Sequence, residues 1–91
     1  EIRLVPEVTA PWVSERLDKV QDIIKENDSY DNVVVNMEDV GIIDSIGISF
    51  IIALFRESSA LKKDFKAVNL DDRVYDLFKL MKLNEIFTVE P

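Results

Sequence analysis

The chemistry open to this 91-residue chain is that of carboxylates, hydroxyls and amines, because it contains no histidine and no cysteine. Without histidine there is no imidazole base, no Ser-His-Asp triad and no helical zinc-protease motif. Without cysteine there is no thiolate nucleophile, no disulfide frame and no zinc ribbon. The two glycines, Gly41 and Gly47, are too few for a dinucleotide fingerprint, and neither stands in a phosphate-binding loop. Paired acids remain. Glu38 and Asp39 precede one predicted helix, and Asp71 and Asp72 precede another. Free N–H groups and the helix dipole lower the pKa of an acid so placed, the wrong direction for a general acid. No calcium-loop spacing accompanies them. These acids read as helix caps, so no catalytic residue, metal or cofactor is expected and the chain is not read as an enzyme.

A second constellation is Asp44-Ser45-Ile46-Gly47, flanked by Ile42, Ile43 and Ile48. It lies where a β-branched run has ended and a helix begins. In open α/β sheets that edge is where ligands and partners are met. Two readings stand side by side. Asp44 or Ser45 caps the helix and the isoleucines are core; or some isoleucines are exposed and form an apolar patch that docks a protein. Gly47 in a helix costs about 1 kcal/mol relative to alanine, so it marks either a close approach by another molecule or tight packing within the chain.

These residues need elements to hold them. Glu1 to Val5 alternates as a strand, and Pro6, lacking an N–H, stops it. Thr9 can cap a helix with Pro11 in its first turn. There Val13, Leu17, Val20 and Ile24 make one apolar stripe, with an end near Glu26-Asn27-Asp28. Val33 to Val35 suits a strand buried on both faces. The second helix runs from about Ser45 to Leu61. Phe65 to Leu70 is a strand, Asp71 or Asp72 caps a third helix with Val74, Leu77, Phe78 and Met81 buried, and Ile86 to Val89 is a last strand. The alternation predicts an α/β fold: one domain over residues 1–91 with a mostly parallel four-stranded sheet, helices packed against it and right-handed crossovers.

A net charge of −7 disfavours a nucleic-acid partner. The longest apolar run, Phe50 to Phe55, is far short of the ~20 residues that span a bilayer. No signal-peptide pattern is present, so a cytoplasmic protein with no membrane role is expected.

The stretch from Val33 to Gly47, VVVNMEDVGIIDSIG, resembles the signature of the STAS family, the bacterial anti-sigma-factor antagonists. In that family a buried strand leads through an Asn-Leu or Asn-Met turn to a helix start of Asp, two hydroxyl residues and Gly. Ile2 to Val8, Phe65 to Leu70, Arg73 to Lys82 and Ile86-Phe87 continue the likeness, which implies a domain short of the family's first strand and last helix. It also implies a regulatory role in transcription and signal transduction. The partner would be an anti-sigma factor that is itself a Ser/Thr kinase, held at Asp39, Gly41, Ile42, Ile43, Asp44, Ser45, Ile46, Gly47 and Ile48. In the family, the kinase phosphorylates the hydroxyl residue before the motif glycine, and a charge of about −1.5 to −2 repels the partner. Here that residue is Ile46, which has no hydroxyl. Ser45 is the neighbouring candidate, but as a cap its Oγ would be engaged by a backbone N–H; Ser49 lies one turn further on. The alternatives are a small-ligand or nucleotide-binding module at the same helix start, where N–H groups attract anions, or a scaffold subunit of a larger signalling complex. Lys62-Lys63 and Lys82 stand where the family often has glycine, and longer, more regular helices are expected there.

Overall fold

The computed structural model describes residues 1–26 and 32–91. Strands β1 (Ile2–Arg3), β3 (Asn32–Asn36), β5 (Asp64–Val68) and β6 (Thr88–Val89) form a four-stranded sheet in the order β1-β3-β5-β6, parallel throughout. A second, two-stranded parallel sheet pairs β2 (Glu7–Val8) with β4 (Ile42–Ile43). This small sheet was not foreseen. Pro6 ends β1, yet its carbonyl accepts the N–H groups of Gly41 (3.0 Å) and Ile42 (3.1 Å), which brings the loop after β3 alongside β2.

The strand order advances in one direction, so right-handed crossovers carry the connecting helices to the same face of the sheet. Val33, Val35, Phe65 and Ala67 are buried, whereas Val34, Lys66 and Val68 are half-exposed. The expectation that Val33 to Val35 is buried on both faces is therefore corrected: β3 alternates, because the second face of the sheet is only partly covered.

The first predicted helix is broken. Helix α1 (Ala10–Ser14) is followed by a 3-10 turn at Leu17–Lys19 and by α2 (Val20–Lys25). The Arg16 N–H donates to the Val13 carbonyl at 2.9 Å, a three-residue bond that tightens the end of α1. Arg16 then folds back, its guanidinium 4.5 Å from the centre of the Trp12 ring and its Nη1 donating to the Trp12 carbonyl. The stripe loses Leu17, which is 50% exposed, while Val13, Val20 and Ile24 stay buried. The expected end of this helix at Asn27-Asp28 lies outside the described residues.

Helix α3 (Ser45–Ala60) agrees with the predicted span and buries Ile48, Phe50, Ile51 and Leu54. It ends with Lys63 N–H donating to the Ser58 carbonyl and Lys62 N–H to the Ser59 carbonyl, a left-handed termination with Lys62 at φ 58°. Helix α4 (Asp72–Leu80) stops in the same way, with Lys82 at φ 61°. Longer helices at these lysines are thus corrected: the turn is kept and lysine occupies a conformation that favours glycine. Because α4 stops there, Met81 is 44% exposed rather than buried. A 3-10 turn at Leu83–Glu85 shortens the last strand. Phe87 instead packs its ring 5.4 Å from that of Phe55 and 5.0 Å from that of Phe65.

Candidate functional site

Asp44 organises the edge where β2, β4 and α3 meet. Its Oδ1 accepts the Gly47 N–H at 2.8 Å and so caps α3; its Oδ2 accepts the Ala10 N–H at 3.0 Å, at the start of α1. One carboxylate thus holds two helix starts together. Thr9, the expected cap of the first helix, makes no side-chain capping bond. The Gly47 N–H, more than that of Ala10, keeps Asp44 below the ordinary aspartate value of 3.8, outweighing the opposing effect of desolvation.

The two readings of Gly47 are resolved toward packing within the chain. A Cβ there would collide with the carbonyl oxygen of Val8 and lie 2.7 Å from Ile43 Cγ1. The same Val8 oxygen accepts the Asp44 N–H. Gly47 therefore lets α3 seat directly on the β2 backbone. Gly41 has open space around its Cα, with no heavy atom within 4 Å of a Cβ placed there.

The predicted contact residues divide by exposure. Ile42 is 55% exposed and Ile46 45%; Gly41, Ser45 and Asp39 are also exposed, and Ile43 and Asp44 are half-buried. Gly47 and Ile48 are buried. Their inclusion as contact residues is corrected: Gly47 faces Val8 and Ile48 belongs to the core, so they support the patch from beneath. Asp39 is not free either. Its Oδ2 accepts from Arg3 Nε at 3.1 Å, and Glu38 Oε2 accepts from Arg3 Nη2 at 2.9 Å, which ties the loop to β1.

Ser45 is the first residue of α3, not its cap. Because Asp44 takes the capping role, the expectation that the Ser45 hydroxyl is occupied by a backbone N–H is overturned. The side chain is exposed, and its carbonyl accepts the Ser49 hydroxyl. Asp71, not Asp72, caps α4, accepting the Val74 N–H at 2.8 Å.

Two features escaped the sequence reading. Asn36 is buried, and its Oδ1 accepts the Glu38 N–H (3.0 Å) and the Asn69 side-chain amide (3.2 Å). It joins the loop after β3 to the end of β5; its place at the head of the Asn-Met turn was the signal available. The second is a groove of about 220 Å³ lined by Gly41, Ile42, Ile43, Arg73, Val74 and Leu77, which brings α4 beside β4. No local pattern reveals that meeting.

Among the described residues, no group of three acids, histidines or cysteines is placed to hold a metal ion, and no helix is long and apolar enough to cross a membrane. What remains is a rigid edge with two isoleucines turned outward.

Comparison with known proteins bears on this edge. A family model for the STAS domain matches residues 3–91. The fold also resembles the crystal structure of a protein from Thermotoga maritima proposed to be an anti-sigma factor antagonist. The TM-score is 0.73 at 20% sequence identity, over 98% of this chain and 77% of that one. No curated protein sequence matches the chain.

Proposed function

Because the chain belongs to the STAS domain family, we propose that it acts by binding rather than catalysis, as an anti-sigma-factor antagonist that sequesters a kinase-type anti-sigma factor. The observation that carries this reading is the exposure of Ile42 (55%) and Ile46 (45%) beside Asp44. Fully burying an isoleucine is worth about 1.5–3 kcal/mol, so covering the exposed parts of both supplies roughly that amount at the centre of an interface. The edge is already braced by Asp44 and Gly47, and little ordering accompanies binding.

The usual phosphate switch is absent in this reading. Ile46 occupies the family's acceptor position, so the partner is held without release by phosphorylation there. Ser45 is the one other acceptor at the helix start, exposed and relieved of capping duty by Asp44. A small-ligand or nucleotide site at the same place is disfavoured, because the Asp44 carboxylate already occupies the N–H of Gly47 and would repel an incoming anion.

The test is retention of the purified Ser/Thr-kinase-type anti-sigma factors of the source organism by the wild-type chain and by Ile46→Glu. Affinity for one of them falls at least about tenfold in the variant, the effect expected of a charge forced into an apolar contact. Equal binding by a folded variant removes this surface. Intact mass after incubation with ATP stays unchanged for the wild type; a phosphate on Ser45 would overturn the unswitched reading.

A further inference from the structure

The loop between β3 and β4 delivers Ile42 to the docking edge. Its two ends are held by main chain: the Met37 N–H donates to the Val68 carbonyl at 2.9 Å, and the Gly41 and Ile42 N–H groups share the Pro6 carbonyl. Within it the Val40 N–H closes a turn onto the Met37 carbonyl at 3.0 Å. Glu38 and Asp39, at the crest of that turn, are held by side chains. Arg3 reaches both from β1, but these ion pairs are exposed and screened by salt. The buried hold is Asn36, whose Oδ1 accepts the Glu38 N–H.

That oxygen has a second donor. Asn69, between β5 and α4, gives it a side-chain N–H at 3.2 Å. Hydrogen-bonding capacity fixes the arrangement. A main-chain N–H only donates, so the oxygen of Asn36, not its amide nitrogen, must face Glu38; the group on Asn69 that meets the same oxygen must then be a donor too. Asn69 supplies it from a left-handed backbone, at φ 60°, a conformation that asparagine tolerates better than most residues. Glycine would sit there without strain but would leave the Asn36 oxygen one donor short. The bond spans 33 residues of sequence. It joins the loop carrying Ile42 to the segment that leads into α4, whose Val74 and Leu77 line one groove with Ile42 and Ile43.

Resting on the docking role above, we propose that Asn69 is a positioning residue for that role: through the Asn36 oxygen it keeps the turn at Glu38 in the form that presents Ile42. Its action is on the edge, not on the partner. A protein whose edge is formed only part of the time binds in proportion to that fraction. Loosening the turn therefore weakens the complex without removing a contact.

The test is the dissociation constant for the purified anti-sigma factor retained in the Ile46 experiment, measured by isothermal titration at ~0.5 M salt, where added charge is screened. Asn69→Gly keeps the left-handed backbone and Asn69→Asp keeps the size of the side chain; both lose the donor. Each weakens binding about three- to tenfold, the factor that one neutral hydrogen bond corresponds to. Each also speeds hydrogen exchange of the Glu38 amide by a similar factor. Lys62→Gly relaxes the same backbone conformation at the far end of α3 and binds as the wild type does. A residue that only stabilised the fold would lower Tm and leave the affinity of the folded protein unchanged. Wild-type affinity in either Asn69 variant, or a Glu38 amide that exchanges at the wild-type rate, overturns this inference, while Ile46-dependent binding leaves the docking role standing. If no anti-sigma factor is retained, both fall.

Discussion

Gly47→Ala sets two physical effects against each other. Helix propensity alone favours alanine by about 1 kcal/mol at an interior position. Packing opposes it: the new methyl would overlap the Val8 carbonyl oxygen and crowd Ile43 Cγ1 at 2.7 Å. The obstacle is backbone rather than the free end of a side chain. Val8 is fully buried, its strand is paired with β4, and its oxygen holds the Asp44 N–H. Relief requires α3 to move away from β2, which pulls Asp44 from the Ala10 N–H. Overpacking of this kind costs about 1–3 kcal/mol. With a rigid obstacle the upper end applies, and after the propensity gain a net loss of about 2 kcal/mol remains. In a domain of this size that lowers Tm by about 8–16 °C, read by calorimetry or by the far-ultraviolet circular dichroism melt. Gly41→Ala is the control. Its Cβ meets nothing within 4 Å and its φ is not positive, so Tm stays level or rises, as a gain of about 0.4–1 kcal/mol from the stiffer unfolded chain implies. A Gly47→Ala protein as stable as wild type would refute the account of how α3 meets β2.

Three further outcomes are expected. Asp44 has a lowered folded pKa, so its stabilisation is fully present above the ordinary value of 3.8 and is lost as pH falls through the lower folded value. Denaturation as a function of pH should show the stability gap between wild type and Asp44→Asn narrowing on the acid side; a constant gap would mean that its carboxylate charge is not held by the two N–H groups. Lys62→Gly relieves a left-handed lysine at φ 58°, and after the entropy that glycine adds to the unfolded chain a gain of about 0.5–1 kcal/mol remains, seen as a higher denaturation midpoint. Ile46→Ser restores a hydroxyl before Gly47; incubation with the retained kinase and ATP should add one phosphate to this variant and weaken its complex, and a variant that stays unmodified would count against a kinase partner.

Much of the fold was legible because it rests on local patterns. The capping candidates Asp44 and Ser45 placed the start of α3, whose predicted end lies one residue from the observed one, and the β-branched run placed β3. The misses have a common cause. Val13, Leu17, Val20 and Ile24 satisfy helical spacing, yet Arg16 leaves helical geometry, at φ −124° and ψ −10°, and the element breaks there. The small β2–β4 sheet joins two-residue strands that no period can reveal. Of the candidate site, the position of Asp44 at a helix head was evident, but its second bond, to Ala10, spans 34 residues of sequence and had no local sign.

Residue types and spacing by themselves determined the class of fold, the place of the candidate edge, and what is missing from it, since chemistry that needs histidine or cysteine cannot occur without them. Only the tertiary structure decided which isoleucines face outward. Ile42, Ile43, Ile46 and Ile48 are the same residue in one short stretch, and hydrophobicity cannot tell them apart. Their fates differ because Asp44 fixes the rotation of α3 and the Val8 carbonyl fixes its depth, turning Ile48 into the core and leaving Ile46 in water.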